Sequence, residues 1–75
     1  MKDLLKFIVD ELVSNKEAVQ ITEEVNGNNI DFSVTVDPED LGAVIGRGGR
    51  VANSIRAVVR ASAKKENKRV NIKFN

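Results

Sequence analysis

A glycine-rich stretch in the middle of the chain contains the residues whose types and spacing could do chemistry. Gly46, Gly48 and Gly49 surround Arg47, and Arg50 follows directly. A glycine has no Cβ, so an extended ligand backbone can come close to the chain at Gly46 and Gly49. The first amides of a helix that starts after the loop offer hydrogen-bond donors and a positive dipole end to an anion. The stretch therefore predicts a phosphate site, with a tight turn that needs glycine only for its φ as the structural alternative.

The two arginines strengthen the phosphate hypothesis. Arg47 and Arg50 flank the loop and can donate charge-assisted hydrogen bonds to phosphate oxygens. Two well-known phosphate loops do not fit this sequence. A Walker A loop needs a Gly-Lys pair followed by a hydroxyl residue, and neither is present. A dinucleotide-binding fingerprint would begin at Gly46, but Val51 stands at its third glycine position and a predicted helix, not a strand, precedes it.

The flanking sequence predicts a helix on each side of the loop. Asp37 as the N-cap and Pro38 at the first helical position predict a short helix that ends near Ile45. A second helix is predicted from about Arg50 to Lys64. Its predicted apolar face holds Val51, Ala52, Ile55, Val58, Val59 and Ser62. Its opposite face holds Arg50, Asn53, Arg56, Arg60 and Lys64, an arrangement that is also usual for a solvated helix.

One further helix and three strands complete the chain. Apolar residues at helical spacing predict an amphipathic helix from Lys2 to Ser14, with Phe7 off the apolar stripe and therefore exposed. That stripe is Leu4, Leu5, Ile8, Val9 and Leu12. Alternating apolar residues predict strands over residues 19–25 and 30–36, joined at a turn over residues 26–29, although Glu23 stands where an apolar residue is expected. The third predicted strand contains Val70, Ile72 and Phe74.

The resulting order, αββααβ, predicts an α+β fold. The two helices between the second and third strands make a crossover long enough for those strands to run parallel. We therefore predict one domain over residues 1–75, with a three-stranded mixed sheet and three helices packed on one face.

Composition excludes several kinds of function. The chain has no Cys and no His, which removes disulfides, thiolate metal sites and imidazole acid–base chemistry. We therefore expect no metal and no cofactor. Asp37, Glu39 and Asp40 form an acidic cluster, but helix capping explains it, so we expect no catalysis. No apolar run approaches the roughly 20 residues that span a bilayer, and we expect a soluble, cytoplasmic protein without membrane insertion.

Charge is divided unevenly along the chain, although the net charge is only +1. Residues 1–40 hold three basic and ten acidic residues, a net charge of −7. Residues 41–75 hold nine basic residues and one acidic residue, a net charge of +8. Basic side chains gathered on one surface can displace the counterions of phosphates, so the division favours a polyanion as partner. The alternative is that the two halves face each other, within the fold or across a dimer.

The loop and its surroundings resemble a known family. Val44-Ile45-Gly46-Arg47-Gly48-Gly49, followed by Ile55 and set within αββααβ, is similar to a type II KH domain, whose loop holds about four nucleotides of single-stranded RNA. The whole chain resembles the KhpA family of small bacterial RNA-binding proteins. That resemblance implies pairing with a second copy or with a larger KH partner of the KhpB type. It also implies a role as an RNA chaperone or post-transcriptional regulator that influences cell shape.

The resemblance implies a role for each site residue as well. Arg47 and Arg50 would contact phosphate, and Gly48 would keep the loop free of a projecting side chain. Val44, Ile45 and Ala52 would line the floor of an apolar groove, although Ala52 stands where many KH domains carry a larger aliphatic residue. The full RNA-binding set implied for this chain is Val44, Ile45, Gly46, Arg47, Gly48, Gly49, Arg50, Ala52 and Asn53.

Two other functions stay open at this point. The chain is also compatible with a protein-interaction or dimerisation module that binds RNA weakly or not at all. It is equally compatible with binding of single-stranded DNA, because the loop chemistry identifies no contact with a 2′-hydroxyl group. Stacking on aromatic rings is not expected to supply affinity, since Tyr and Trp are absent and Phe32 and Phe74 are predicted to lie in the core.

Overall fold

The helices and strands follow one another in the predicted order. A computed structural model describes residues 1–75. Its elements are α1 (Lys2–Leu12), β1 (Gln20–Asn26), β2 (Asn29–Thr35), α2 (Leu41–Ile45), α3 (Arg50–Lys65) and β3 (Arg69–Phe74). Single 3-10 turns lie at Lys16–Ala18 and Arg47–Gly49. The order αββααβ is thereby confirmed.

The three strands form one mixed sheet in the order β1-β2-β3. β1 runs antiparallel to β2, with Ile21 opposite Val34. β3 runs parallel to β2, with Phe32 opposite Ile72. A parallel pair needs a crossover connection, which α2 and α3 provide. The glycine loop therefore lies inside the crossover, and β1 and β3 are the two edge strands.

The core lies between one face of the sheet and the helices. Alternate residues of β2 and β3 are buried, and the residues between them point to the other face, where most are exposed. The buried apolar residues are Leu5, Val9, Val13, Ile30, Phe32, Val34, Val36, Val44, Ala52, Ile55, Val59, Ala63, Val70 and Ile72. The helices thus cover one face of the sheet only, as predicted.

The buried line of α1 differs from the predicted stripe. It consists of Leu5, Val9 and the following Val13, whereas Leu12 is 37% exposed. Residues four apart lie one above the other on a helix, which explains the straight line that starts at Leu5. Phe7 is 64% exposed, so the prediction that it lies off the stripe is confirmed.

The buried line of α3 proceeds in steps of three and four residues, which also share one face of a helix. It consists of Ala52, Ile55, Val59 and Ala63, while Val58, which was predicted for the apolar face, is 49% exposed. Ala63 is buried as well, although it was not among the residues predicted for the apolar face. No helix in the structure combines the length and the apolar character needed to cross a bilayer.

The irregular position in β1 has a simple explanation. Glu23 lies opposite Phe32 in the ladder and so belongs to the core face of the sheet. It is nevertheless exposed, and its neighbour on that face, Val25, is 54% exposed. β1 is an edge strand that the helices cover incompletely, and a charge there also disfavours pairing with another sheet edge.

The start of α2 differs from the prediction that placed Asp37 at the N-cap and Pro38 at the first helical position. α2 begins at Leu41, and Asp40 is its N-cap residue. Asp37 closes a turn instead: its carbonyl oxygen accepts from Asp40 N at 2.8 Å, and its Oδ1 accepts from Glu39 N at 2.9 Å. An aspartate uses the same hydrogen bond to cap a helix and to close a turn, so the sequence does not distinguish the two.

Asp40, the one buried polar residue, joins the end of α1 to the start of α2. Its Oδ2 accepts from Asn15 N and its Oδ1 accepts from Ser14 N, both at 3.0 Å. The backbone hydrogen bonds from Asn15 and Ser14 lower the pKa of the Asp40 carboxyl, because they stabilise the charged form by more than burial penalises it. Asp40 therefore fixes the chain after α1 against the first turn of α2.

Replacing Asp40 by Asn should destabilise the fold at neutral pH but not in acid. The pKa of Asp40 is lower in the folded chain than the ordinary value of 3.8, so its contribution is complete above that value and is lost as the pH falls through the folded value. Thermal unfolding measured from about pH 7 to about pH 2 should show a Tm difference from wild type that shrinks towards acid.

Glu39→Gln is the matched control for Asp40→Asn, because Glu39 is exposed, lies in the same turn and has no side-chain hydrogen bond. Its Tm should stay close to wild type across the whole range. Equal Tm losses in the two variants would contradict the assigned role of Asp40.

Candidate functional site

A short loop joins α2 to α3, and its backbone conformation is one that glycine adopts more readily than other residues. Gly46 ends α2, and its N–H donates to the carbonyl oxygen of Gly42 at 2.9 Å. Its φ of 75° and ψ of 174° lie in a region that is essentially reserved for glycine. Gly48 and Gly49 follow with φ of 64° and 80°, and Gly49 N donates to Gly46 O at 3.2 Å. The chain thus passes from one helix to the next through a single 3-10 turn.

Gly46 packs directly against the start of α3. A Cβ at this position would lie 2.5 Å from Val51 Cγ2 and 2.9 Å from both Val51 Cβ and the Val51 backbone nitrogen. The interior is close-packed, and the backbone nitrogen cannot move aside unless α3 moves with it. Gly46 therefore permits a close contact between the two helices, a role that differs from the predicted one of leaving room for a ligand.

Gly48 and Gly49 form the open side of the loop. A Cβ on Gly48 would meet no atom within 4 Å, and a Cβ on Gly49 would meet only Asn53 Nδ2, at 3.9 Å. At neither position does a close contact within the protein require the absence of a Cβ, although both residues have a positive φ. The main chain at Gly48 and Gly49 is consequently accessible to an extended polymer.

Arg47 and Arg50 stand beside this open side as unpaired cations. Both residues are exposed, and the only salt bridge in the structure joins Lys6 to Asp10. No side chain caps the N-terminus of this 16-residue helix, α3, so the positive end of its dipole has no side-chain partner, although the Arg50 N–H already donates to the carbonyl oxygen of Arg47. Two guanidinium groups and a helix N-terminus next to open backbone suit an oxyanion such as phosphate.

The predicted groove floor is largely covered. Val44 and Ala52 are 0% and 1% exposed, so neither side chain offers surface to a ligand in this conformation. Ile45 and Val51 are half-buried and supply the apolar surface next to the loop. The small size of Ala52 fits the close packing of α3 at this end. A direct contact of Val44 or Ala52 with a ligand stays a prediction.

Arg56 ties the basic face of α3 to β3. Its Nε donates to the carbonyl oxygen of Ile72 at 3.2 Å, and its Nη1 donates to Asn53 Oδ1 at 2.9 Å. The guanidinium lies over the ring of Phe74, 5.3 Å from the centroid. Phe74 is half-buried and packs against the core beneath this cation, whereas Phe32 is buried as predicted. Helical spacing places Arg56 on the basic face but says nothing about which strand lies beside it.

Known proteins are similar to this chain over almost its whole length. The family model for the KhpA/KhpB KH domain matches residues 2–74. The RNA-binding protein KhpA of Clostridium acetobutylicum is 47% identical over 70 residues, which are 93% of either chain. The RNA-binding protein KhpA of Clostridium perfringens is 46% identical over the same length and coverage. That of Listeria monocytogenes is 37% identical over 74 residues, 99% of this chain and 97% of its own.

Three glycine-to-alanine variants should separate close packing from backbone strain. Gly46→Ala combines the clash with Val51 and a backbone conformation reserved for glycine, so the free energy of unfolding should fall by roughly 3 kcal/mol. Gly48→Ala meets no atom but keeps a positive φ, which should cost roughly 1 kcal/mol. Urea unfolding measures both.

Gly42→Ala is the control for this series, because Gly42 lies within α2 with open space around it and no positive φ. Its stability should be unchanged or rise by up to about 1 kcal/mol. A Gly46→Ala variant that is as stable as Gly48→Ala would show that the contact with Val51 is not tight.

Proposed function

This chain belongs to the KhpA/KhpB family of KH domains, and on that premise we propose that it binds single-stranded RNA without catalysis, through the loop of residues 46–49. The sugar–phosphate backbone lies along the open side at Gly48 and Gly49, and Arg47 and Arg50 hold its phosphate oxygens. The residues proposed to contact RNA are Ile45, Arg47, Gly48, Gly49, Arg50 and Asn53, and Val44, Gly46 and Ala52 belong to the proposed site as the packed residues that support it.

The observation that carries the proposal is the placement of unpaired cations beside accessible main chain. Arg47 and Arg50 have no carboxylate partner, and they flank the two glycines at which a Cβ would meet almost nothing. The start of α3, which no side chain caps, adds the positive end of the helix dipole at the same point. A turn that needs glycine for its φ alone requires none of this, whereas a phosphate contact uses all three features. The relatives' name, RNA-binding protein KhpA, supports the same function.

The interface is expected to hold the RNA backbone more firmly than it distinguishes the bases. Phe32 is buried and Phe74 lies beneath Arg56, so neither ring is free to stack on a base, and the third aromatic residue, Phe7, belongs to α1. The bases must therefore rest on the apolar edges of Ile45 and Val51 and on hydrogen bonds, which gives weak and permissive recognition by one domain. Two domains bound to one strand would raise the overall affinity.

The proposal extends to partners and cellular role. The chain would act as a dimer, with a second copy or with a KH protein of the KhpB type, in the cytoplasm. Its role there would be that of an RNA chaperone or post-transcriptional regulator that influences cell shape. The family model that covers both KhpA and KhpB supports this pairing, and Phe7, 64% exposed on α1, offers apolar surface for it.

That exposed surface also favours a second candidate function. Phe7 and Val58 are large apolar residues that stay exposed, at 64% and 49%. A module that only dimerises or binds protein would sediment as a stable dimer and show no RNA affinity at low salt.

Single-stranded DNA is the remaining alternative ligand, and competition between RNA and DNA oligomers of matched sequence distinguishes it from RNA. Equal competition would favour recognition of the backbone without regard to the 2′-hydroxyl group.

A double variant, Arg47→Asp with Gly48→Asp, should abolish binding to a short single-stranded RNA and leave the fold nearly intact. It places carboxylates where the phosphate would lie, while a side chain at position 48 meets no atom. Asp tolerates a positive φ better than most residues, so the expected loss of stability is only roughly 1 kcal/mol. Fluorescence anisotropy measures the affinity, and thermal unfolding checks the fold.

The matched control is Lys16→Asp with Gly27→Asp. It makes equivalent changes away from the loop, because Lys16 is exposed and Gly27 has a φ of +59° and nothing within 4 Å of a Cβ. The control should bind RNA as the wild type does, apart from a small loss through net charge. If the loop variant binds RNA as well as this control, the loop is not the site.

RNA affinity should also fall steeply with salt. Each phosphate that the protein neutralises on a single strand contributes about −0.7 to the slope of log affinity against log salt concentration. About four phosphates at the loop would therefore give a slope of about −3. Anisotropy titrations at several salt concentrations measure the slope, and a slope near zero would contradict binding through phosphates.

A further inference from the structure

The end of α3 that is remote from the loop carries a second concentration of positive charge. A surface depression of about 330 Å³ opens between the C-terminal part of α3 and the start of β3. We call it the α3 C-terminal pocket. Its lining residues are Arg60, Lys64, Lys68, Arg69, Val70 and Asn71. Four of these are cations and none is acidic.

None of these four cations forms an ion pair, and the one carboxylate bonded to a lining residue is that of Asp31, whose Oδ1 accepts from Asn71 Nδ2 at 3.0 Å. The only salt bridge, Lys6 to Asp10, lies within α1. Glu66 is the one acidic residue of the basic half, and it neither lines the pocket nor forms an ion pair. Like charges around one depression raise the local potential, which attracts an anion.

One of the cations is oriented toward β3 by a long hydrogen bond. Arg60 Nε donates to the carbonyl oxygen of Val70 at 3.4 Å, as Arg56 does to Ile72 one turn earlier. β3 is an edge strand, so these carbonyl oxygens have no partner strand on that side. The bond leaves the terminal nitrogens of Arg60 free to donate. A guanidinium that is already positioned loses less conformational entropy when it binds a phosphate.

A row of cations connects the loop to the pocket. Arg56, Arg60 and Lys64 are spaced four residues apart and so lie on one side of α3, and Arg50 stands at its start. The fourteen residue-to-residue steps from Arg50 to Lys64 correspond to about 21 Å of helix axis. Measured along the axis of a duplex, the phosphates of one strand are spaced by about 3.4 Å, which is a lower limit for the advance per nucleotide of a more extended strand. A strand held at the loop therefore reaches the pocket within about six nucleotides.

From these observations we infer that the α3 C-terminal pocket is a second phosphate-binding site for the same RNA strand. Lys64, Lys68, Arg69 and the free nitrogens of Arg60 bind its phosphate oxygens. The inference rests on the proposed function, because it requires an RNA that is held at the loop. It extends the length of RNA recognised beyond the about four nucleotides that a KH loop accommodates.

Oligouridines of two lengths test the inference, one of about four nucleotides and one of about ten. The pocket variant is Lys64→Gln with Lys68→Gln, since neither side chain makes a hydrogen bond or an ion pair in the structure. The control is Lys2→Gln with Lys16→Gln, which removes the same charge from exposed residues that line neither the pocket nor the loop. Fluorescence anisotropy gives the affinities, and thermal unfolding confirms that both variants fold.

The pocket variant should bind the short RNA as the control does, within about twofold, and should lose about tenfold in affinity for the long RNA relative to the control. Equal affinity of both variants for the long RNA would overturn the second site while leaving the loop proposal intact. A loss of the same size for short and long RNA would also overturn it, because the lysines would then act at no separate site. If the wild type binds neither RNA, the proposed function fails together with the inference.

Discussion

The contact between Gly46 and Val51 is the constraint on which the candidate site depends. The gap between them cannot hold even one methyl group, so α3 begins directly after a single 3-10 turn. That path leaves Gly48 and Gly49 on the outside and brings Arg47 and Arg50 next to the uncapped start of α3. The chemistry suited to an anion therefore follows from a packing contact inside the protein, and the most restricted glycine of the loop is the one that faces inward.

The same contact sets the start of α3, whose packing places the basic face along the free edge of β3. Carbonyl oxygens of that edge accept hydrogen bonds from Arg56 and Arg60. These hydrogen bonds satisfy carbonyl oxygens on the free edge of β3. The guanidinium groups stay at the surface without carboxylate partners. No ion pair joins the acidic half of the chain to the basic half, because the only salt bridge joins two residues of α1. The basic side chains of α3 are therefore without a carboxylate partner within the fold, which suits contact with a polyanion.

Local sequence patterns predicted the helices and strands well, but they predicted the contacts between distant segments poorly. Hydrophobic period and turn chemistry identified the αββααβ order, the loop and the exposure of Phe7. They placed Asp37 at a helix start because a helix cap and a turn use the same hydrogen bond, and they treated Asp40 as one more acid of that cluster. The role of Asp40 depends on Ser14 and Asn15, about 25 positions away, and no local signal reveals such a partner.

By itself the sequence determined the order of elements, the position of the glycine loop and the division of charge, because each of these depends on neighbouring residues or on simple counting. Only the tertiary structure decided which glycine is packed and which are open, that Val44 and Ala52 are covered, and that Arg56 lies over Phe74. It also decided that Arg60, Lys64, Lys68 and Arg69 surround one depression. These facts require segments far apart in the chain to meet, and such meetings are set by the packing of whole helices on the sheet, which residue spacing does not encode.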